Sequence, residues 1–569
     1  MPGFTLQTAL EIDGTPLDAS LEPLLEQVTV EQYLHQPDMV TVTFRDTERK
    51  AVTDAKIKIG SRLKVSATSV GGQAPGPLAV VEVTAVEAEY TAAGSRSTVR
   101  AYDPSHRFQR GRRTETYQQM KDSDIARKVA ERDGVQIGTI DDTGPVHAYV
   151  AQVNETDWAF LGRRGREIGF EVAVTEGMFQ FRRPEQAKAA PSGGDYGSTD
   201  PLQLVFGQEL LEFHPRVSSA EQVSEVVVRG WDMKAKQPIV ARATAAATSA
   251  TLRDSPASLA DVFGKPVYTS VDRPPSTQAG ADTTAGALSD HFGSAFAEAT
   301  GVAMGNPKLK AGAAVNISVV ADHFAGKYVI TSARHIFNRD GYRVWFVVSG
   351  RQDRSMLGLA TGATGSRPDR IAGVVVGLVT NNVDPDGLAR VKLKFPWLDD
   401  RYESDWARIV QLGAGPSSGA VWLPEVNDEV LVAFEHGDVS RPFVVGGIWN
   451  GVDKPLLGNR LVDNGHVRRR GFVSRKGHRL IMFDADDKSG IAALSSNSKL
   501  RISLNETKTE IHVHSDGTIV IESTGDLSVK SSANLSVEAS GNLTLKGGGT
   551  VKIQGASVDI DGSSTITLN

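Results

Sequence analysis

The sequence contains no cysteine among its 569 residues. This excludes disulfides, thiolate metal sites and a cysteine nucleophile, and it predicts a protein that is indifferent to the redox state of its surroundings. A run of some eighteen apolar residues is also missing, so we expect no membrane-spanning helix. The opening residues, MPGFTLQTALEIDG, show no basic segment followed by an apolar core. We therefore expect no Sec export signal and assembly in the cytoplasm.

An excess of charge of one sign is absent too. Lys and Arg total 62 against 68 Asp and Glu, a formal net charge of -6, and the sequence holds no long basic tract. Neither nucleic acid nor an anionic membrane surface is therefore an expected partner. The cluster Arg107, Arg110, Arg112 and Arg113 lacks interleaved aromatic residues. A solvated or salt-bridged face is favoured there over a nucleic-acid patch.

The clearest positive pattern is an eight-residue repeat near the C-terminus. Two apolar residues spaced two apart recur every eight residues, with a small residue in each intervening turn. This spacing places both side chains of a pair on one face of a strand. The residues predicted to form the core of this repeat are Ile511, Val513, Ile519, Ile521, Leu527, Val529, Leu535, Val537, Leu543, Leu545, Val551 and Ile553, then, after a one-residue slip in register, Val558, Ile560, Ile566 and Leu568.

A fixed period predicts a solenoid or a fibre, in which no unit can bury its apolar face alone. Eight residues supply one side of a triangular coil, so three chains wound round a common axis are predicted to close it. The result is a trimeric intertwined β-helix, or needle, over residues 501–569 that does not exist as a monomer. The sequence ends on a hydrophobic rung without a cap, which predicts a separate tip protein at that end.

Two histidines interrupt the apolar pattern at the start of the repeat. A row of His512 and His514 could place six imidazoles from three chains round one axial metal ion. Ile511 and Val513 belong to the inward series, however, so the histidines are predicted to face outwards. An axial metal would require the register to invert. No catalytic residue, cofactor site or metal site is therefore predicted.

Residues 370–455 show short strands and turns in the rhythm of a small barrel of the OB type. The segments GLVTNNVDPDGLARVKLKFPWLDD, SDWARIVQLGAG, LPEVNDEVLVAFEHGD and RPFVVGGIWNG follow one another in this region. They resemble, in order, the baseplate-spike OB domain of the VgrG and phage tail-spike family. Members of that family usually carry Gly where this sequence has Asn427.

A calcium loop is the alternative interpretation of one turn in this barrel. Asn382, Asp384, Asp386 and Gly387 fit positions one, three, five and six of such a loop. Position twelve is Leu393 instead of Glu, so the signature fails and a hairpin turn is favoured.

The N-terminal region is similar to the phage late control protein D family. The resemblance rests on YDPSHRFQRGRRTETY, MKDSDIARKVAERDGV, VNETDWAFLGRRGREIGFE and MFQFRRP, and it resumes at EATGVAMGNPKLKAGAAVNI and GKYVITSARHIF. It implies a trimeric tail hub built from paired β-barrels. Two helices are predicted here, one capped by Ser123 and closed by Gly134, the other capped by Asn154 and closed by Gly169.

The expected fold class is mainly β, with tail-hub β-barrels and small helices, an OB barrel and the trimeric β-helix. The domains assigned on this basis are 1–184 (first hub β-barrel segment), 185–240 (hub connection), 241–290 (a flexible insert rich in Ala, Thr, Ser and Pro), 291–369 (second hub β-barrel segment and linker), 370–455 (OB barrel), 456–500 (neck) and 501–569 (needle).

The resemblance implies the trimeric central spike of a contractile injection system baseplate, which connects the inner tube to the tip and punctures the target envelope mechanically. The partners it implies are two further copies of the chain, inner tube and baseplate proteins, a PAAR-like tip protein and effector cargo, with the target membrane contacted only on puncture. The D-like start and the short needle favour a phage-tail-like or extracellular particle over type VI secretion. The alternatives are a spike with cryptic cell-wall hydrolase activity and an adhesin-like fibre.

Overall fold

The computed structural model describes residues 6–69, 76–193, 196, 198–353, 370–457, 461–565 and 567. The chain divides into two compact units, residues 1–450 and residues 451–569. The fold is mainly β, as predicted. Within the described ranges, no helix combines the length and the apolar character needed to cross a membrane.

The strands of the first unit up to residue 348 are β1 Leu6–Ile12, β2 Thr15–Pro16, β3 Leu25–Tyr33, β4 Met39–Arg45, β5 Arg62–Ser69, β6 Pro77–Thr91, β7 Gly94–Tyr102, β8 Arg113–Met120, β9 Gln136–Ile140, β10 His147–Glu155, β11 Glu171–Thr175, β12 Met178–Arg182, β13 Gln203–Val205, β14 Leu210–Val217, β15 Glu225–Asp232, β16 Gln237–Thr244, β17 Ala250–Thr251, β18 Val267–Ser270, β19 Ala297–Met304, β20 Ala314–Ser318, β21 Gly326–Val329, β22 Ser332–Asn338 and β23 Gly341–Val348. The α-helices are α1 Ala51–Asp54, α2 Asp122–Arg132, α3 Asp157–Ile168, α4 Pro256–Asp261 and α5 Gln278–Ser294. Short 3₁₀ segments lie at Glu22–Leu24, Pro104–Gln109, Ala187–Ala189 and Glu435–Gly437.

The later strands are β24 Val374–Asn381, β25 Lys392–Lys394, β26 Arg408–Ile409, β27 Ala414–Gly415, β28 Ser418–Gly419, β29 Glu429–Phe434, β30 Pro442–Gly447, β31 Val462–Asp463, β32 His466–Val467, β33 Arg469–Val473, β34 Arg479–Ala485, β35 Lys488–Leu494, β36 Leu500–Asn505 and β37 Glu510–Ser515.

One continuous sheet joins the two sequence segments that resemble a tail hub. Its described strands run in the order β14-β19-β23-β22-β3-β4-β7-β6-β5-β1-β2. The seam is the antiparallel pair β22 and β3, along which Ser332 lies opposite Tyr33 and Phe337 opposite Val28. Strand β22 serves two cores, since Phe337 packs into the first and Ala333 into the second. The early and late segments therefore fold as one body.

The helix α2 begins earlier than the sequence predicts. Its N-cap is Lys121, whose backbone N–H donates to the Asp124 carboxylate at 3.3 Å. The predicted cap, Ser123, lies inside the first turn, so that prediction is wrong. Asp124, at the third position of the helix, caps it here through its carboxylate, whereas the sequence predicted a cap by the Ser123 hydroxyl. Gly134 follows the helix with a φ of 65°, as a closing residue should.

The helix α3 begins after Thr156, whose hydroxyl accepts a hydrogen bond from the Ala159 N–H at 3.2 Å. The prediction of Asn154 as the cap is wrong, because β10 continues through it to Glu155 and Asn154 itself lies at a bulge with a φ of 46°. The end of the helix is as predicted. Gly169 adopts a φ of 71° and closes it.

The region 241–290, predicted to be a flexible insert, contains strand β18 and helices α4 and most of α5. Ala281 and Ala285 of α5 are buried against Val226 and Ile239 of strands β15 and β16. The composition misleads here because alanine, which gives little hydrophobic signal, is the strongest helix former and allows close packing on a sheet.

The barrel region forms a sheet in the order β25-β24-β29-β30-β26. Its core includes Val379, Leu393, Phe395 and Val432. The alternation of buried and outward residues along β29 explains why the sequence showed the barrel clearly. The linker predicted to precede it lies largely in 354–369, outside the described residues.

The packing of α5 gives a first prediction. Substituting Ala281 by Glu should lower the free energy of unfolding by about 3–5 kcal/mol, because the change buries an unpaired carboxylate. Ala279→Glu is the matched control, since Ala279 is exposed on the same helix. Differential scanning calorimetry of both variants measures the effect. Equal unfolding temperatures would contradict the packing of this helix.

Candidate functional site

The second unit contains a five-stranded antiparallel meander in the order β33-β34-β35-β36-β37. The pairing registers align side chains in rows across the strands. One row contains Met482, Ile491, Leu504 and Ile511, and a neighbouring row contains Leu480, Ala493, Ile502 and Val513. Both rows lie on the same side of the sheet, since the residues of each strand are spaced two apart. We call these eight residues the apolar face.

The apolar face is open in the single chain. Ile511 is 76% exposed, Ile502 57% and Val513 55%. Among the described residues of 451–569, the hydrophobic residues that are buried are Ile481 and Ala492, which lie on the other side of the meander. A large exposed apolar side of this kind marks a surface that associates with another apolar surface. The second unit therefore lacks a core of its own.

The opposite side of the meander carries polar residues beside Ile481 and Ala492, and both histidines of the HxH pattern lie on it. His512 pairs with Ser503 across the strands, and His514 pairs with Arg501. The Arg501 guanidinium donates to His512 Nδ1 at 2.7 Å. The outward phase inferred for the two histidines relative to Ile511 and Val513 thus matches the register of β37. No group of three or more metal-ligating side chains occurs among the residues that the structure describes.

The predicted boundary between neck and needle at residue 500 needs correction. The first apolar pair of the repeat, Ile511 and Val513, belongs to strand β37 of the meander. The meander thus extends to Ser515 because β36 and β37 form a regular hairpin with its partners in register. The needle prediction applies only to the residues that follow.

Beyond Ser515 the described portion of the chain, up to Thr565, forms no strand. Over this described portion the predicted short strands are not present within one chain, because these octads have no neighbour in their own chain with which to pair. The described core residues of the repeat all remain at least half exposed. Ile566 and Leu568 lie outside the described residues. The assignment of these pairs to a threefold core stays a prediction.

The turn that partly fits a calcium loop is closed by an arginine. Asp384 accepts hydrogen bonds from Arg390 Nε at 2.9 Å and Arg390 Nη2 at 2.6 Å, and Asp386 accepts from the same Nη2 at 2.7 Å. The hydrogen bonds from Arg390 hold the pKa of Asp384 well below its ordinary value. The Gly387 N–H donates to the Asp384 carbonyl at 3.2 Å, which makes a tight turn between β24 and β25. The hairpin prediction is confirmed, and a guanidinium neutralises the carboxylates.

The backbone conformation of Asn427 explains why this position can differ from the glycine that is usual in the family. It adopts a φ of 76°, in the left-handed region that glycine adopts without strain. Asparagine tolerates this conformation better than other residues with a side chain. The turn before β29 is therefore preserved by a different residue.

The sequence contains one motif that the sequence analysis overlooked. Residues Gly415 to Gly419 match the Gly-x-Ser-x-Gly pattern of hydrolases, with Ser417 in the centre. A nucleophile elbow requires a strand followed by a helix. Here Ser417 occupies the turn of the two-residue hairpin between β27 and β28. The structural context of a catalytic serine is not met.

The basic cluster of the hub is partly used in salt bridges within the chain. Arg107 binds the Glu82 carboxylate and donates to the carbonyl oxygens of Asp133 and Gly134. Arg113 binds Asp157, with 3.1 Å between Nε and Oδ2. These contacts favour the salt-bridged interpretation over a nucleic-acid patch.

Strand β10 of the hub packs against the barrel. Val153 is buried in the barrel core with Val391 and Phe395. The Tyr149 hydroxyl donates to the Glu403 carbonyl at 2.9 Å, and burial raises the pKa of that hydroxyl. No local sequence pattern indicates this contact, since the partners lie more than two hundred residues apart. Hub and barrel are thus joined by packing as well as by the chain.

Comparison with known families agrees with these features. A family profile described as the type VI secretion system/phage-baseplate injector OB domain matches residues 375–449. A second profile, described as the Alg8 N-terminal domain, matches residues 83–338. The matched residues 375–449 lie within the region predicted to be an OB barrel. The predicted resemblance to the VgrG and phage tail-spike family is confirmed.

Two curated relatives are type VI secretion system spike proteins. VgrG1c of Pseudomonas aeruginosa is 36% identical over 83 residues, which cover 14% of this chain and 11% of that protein. VgrG3 of Vibrio cholerae is 38% identical over 78 residues, which cover 13% of this chain and 8% of that protein. The aligned segment is therefore a small fraction of each relative.

The fold likeness extends further than the sequence likeness. A chain of the lidded Francisella PdpA–VgrG complex covers 90% of this chain and 80% of its own length, with a TM-score of 0.52 and 8% sequence identity. At this identity the likeness concerns the fold.

The Asp384 turn gives a pH-dependent prediction. Asp384→Asn should lower the free energy of unfolding of the barrel by about 1.5–3 kcal/mol at neutral pH, the range for hydrogen bonds to charged groups. The folded-state pKa is lowered, so the stabilisation is complete above the unfolded value of about 3.9 and is lost as the pH falls below it. The difference between the two proteins should therefore shrink below about pH 4.

Tryptophan fluorescence during thermal unfolding measures this effect, since Trp406 lies 5.8 Å from the Arg390 guanidinium. Asp386→Asn is the matched control and should have a smaller effect, because Asp386 is largely solvated and Asp384 is buried. A difference from wild type that grows on acidification would contradict the assignment.

Proposed function

We propose that this chain is the central spike of a contractile injection particle and acts as a homotrimer that transmits force. The observation that carries the proposal is made on the described residues of the second unit, where an apolar face and the apolar pairs up to Ile560 have no cover within the chain. Three chains wound round one axis supply that cover, since the pairs then meet their symmetry mates. The injector OB domain and the spike-type fold likeness support the same role.

In this proposal the function is mechanical. Contraction of a sheath drives the tube forward, and the needle concentrates the force on a small area of the target envelope. Stiffness comes from backbone hydrogen bonds between chains and from a dry apolar axis. The hub supports the load, because the barrel packs on β10 through Val153 and is held by Tyr149.

The proposed partners are those that the spike role requires. The hub binds the inner tube and baseplate proteins, and the C-terminal end binds a PAAR-like tip protein, with effector cargo carried on the spike. The particle assembles in the cytoplasm, and the target membrane is contacted only on puncture. The spike itself catalyses no reaction.

The central substitution tests the octad phase. Leu535→Asp should abolish the trimer, because it places three carboxylates on an apolar axis. Ser536→Asp is the matched control, since the neighbouring residue faces the other way and should tolerate the charge. Sedimentation velocity of the full chain measures the mass of both variants. A stable, intact trimer of the Leu535→Asp chain would contradict the proposal.

Two further experiments separate the proposed role from its alternatives. A zymogram with peptidoglycan distinguishes a mechanical spike, which leaves no cleared band, from a cell-wall hydrolase. Electron microscopy of native particles with labelled chain distinguishes a spike at the end of the tube from an adhesin-like fibre elsewhere.

A further inference from the structure

The octads carry little information about how three chains should align. The pairs Leu527/Val529 and Leu535/Val537 are identical, and the other pairs differ only among Ile, Leu and Val. Between Ile519 and Ile553, a chain that slips by eight residues against its neighbours exchanges one rung for an equivalent one, and it loses contacts at the ends and at the seven-residue step before Val558. Register is weakly specified in such repetitive strands. Another segment of the chain must set it.

The meander before the needle has the features that the octads lack. Its strands are not repetitive, and two glycines fix their spacing. A Cβ at Gly490 would lie 2.0 Å from the Leu504 carbonyl oxygen, and one at Gly471 would lie 2.2 Å from the Leu480 carbonyl oxygen. Gly490 also has a φ of 144°, which other residues rarely adopt. The meander thus offers one fixed surface.

We infer that the apolar face of the meander is the surface on which three copies of this chain align, so that it sets the register of the needle. This inference rests on the proposed trimeric function. Each copy would place Leu480, Ile491, Ile502 and Leu504 against the other two copies. Slip at this surface would bring apolar residues against the polar ends of the strands, so only one alignment buries the whole face.

The continuity of the chain indicates copies of itself as the occupant. Ile511 and Val513 lie on β37, the last strand of the meander, and belong to the apolar face. They are also the first pair of the octad series. Whatever covers the octads therefore also covers this face. The eight residues of the face are all apolar, and the row that contains Met482 ends at Arg470, which is paired with Asp484. The opposite side is mixed, since Arg479, Arg501 and the histidines lie there together with the buried Ile481 and Ala492.

Because the chain has no cysteine, a single introduced cysteine gives one spin label per chain. Ser536→Cys places the label within the octads on the outward side. Three chains in register give one short distance between labels, measured by pulsed electron spin resonance. A slip by one octad adds a second, longer distance.

The decisive comparison uses neighbouring residues of β36 on opposite sides of the meander. Ile502→Thr combined with Leu504→Thr keeps the β propensity of the strand but weakens the apolar face. We expect at least half of the label pairs to move to longer distances, or the trimer to be lost. Ser503→Thr, on the other side, should keep the single short distance. If the double variant also keeps the single short distance between labels, the inference fails while the proposed function stands.

A second measurement leaves the meander unchanged. The full chain is co-produced with a variant that lacks residues 527–534, both labelled at Val520→Cys, which lies before the deletion. If the register is set before the octads, mixed trimers give one short distance at this position. If the distal octads set it, the shorter chains shift and a second distance arises, which would overturn the inference. A monomeric wild-type chain would overturn the proposed function and the inference together.

Discussion

The constraint on which the rest of the molecule depends is that the apolar pairs from Ile511 to Ile560, all described by the structure, find no cover in their own chain. Each pair presents two side chains on one face, and each octad is too short to fold back on its predecessor. The exposed Ile511 and Val513 show the consequence in the first pair. Water is a poor solvent for such a surface, which favours association that buries it. The trimeric fibre that we propose satisfies this constraint, because the pairs then meet their symmetry mates.

The hub and the barrel are built on the opposite principle. Their cores are complete within one chain, and the seam between β22 and β3 ties early and late segments into one sheet. Val153 extends this integration to the barrel. The proposed spike role uses this contrast, because a self-sufficient base would transmit force to a needle whose stability would come from association.

The sequence was most informative where a periodicity was strict. The alternation in β29 predicted the barrel correctly. The octad spacing placed Ile511 and His512 on opposite faces of a strand, and β37 has them so. Prediction failed where competing local signals were close together, as with Asn154 and Thr156, of which only Thr156 has the geometry of a cap. The prediction of Ser123 as a cap failed for a related reason. The helix is capped at Lys121, whose backbone N–H donates to the Asp124 carboxylate.

Long-range contacts were beyond the reach of the sequence. Nothing around Val153 distinguishes a residue that enters another domain from one buried in its own. Arg390 could not be recognised as the partner of Asp384, because the pattern of acidic residues alone also suggests a cation. The helix around Ala281 was hidden by a composition that resembles a linker. In each case the missing information is a neighbour in space.

The number of chains in the purified protein tests the central claim most directly. Native mass spectrometry at micromolar concentration gives this number without any substitution. Our account predicts three chains per particle, close to three times the chain mass of 60.9 kDa. A particle that contains a single chain would contradict it.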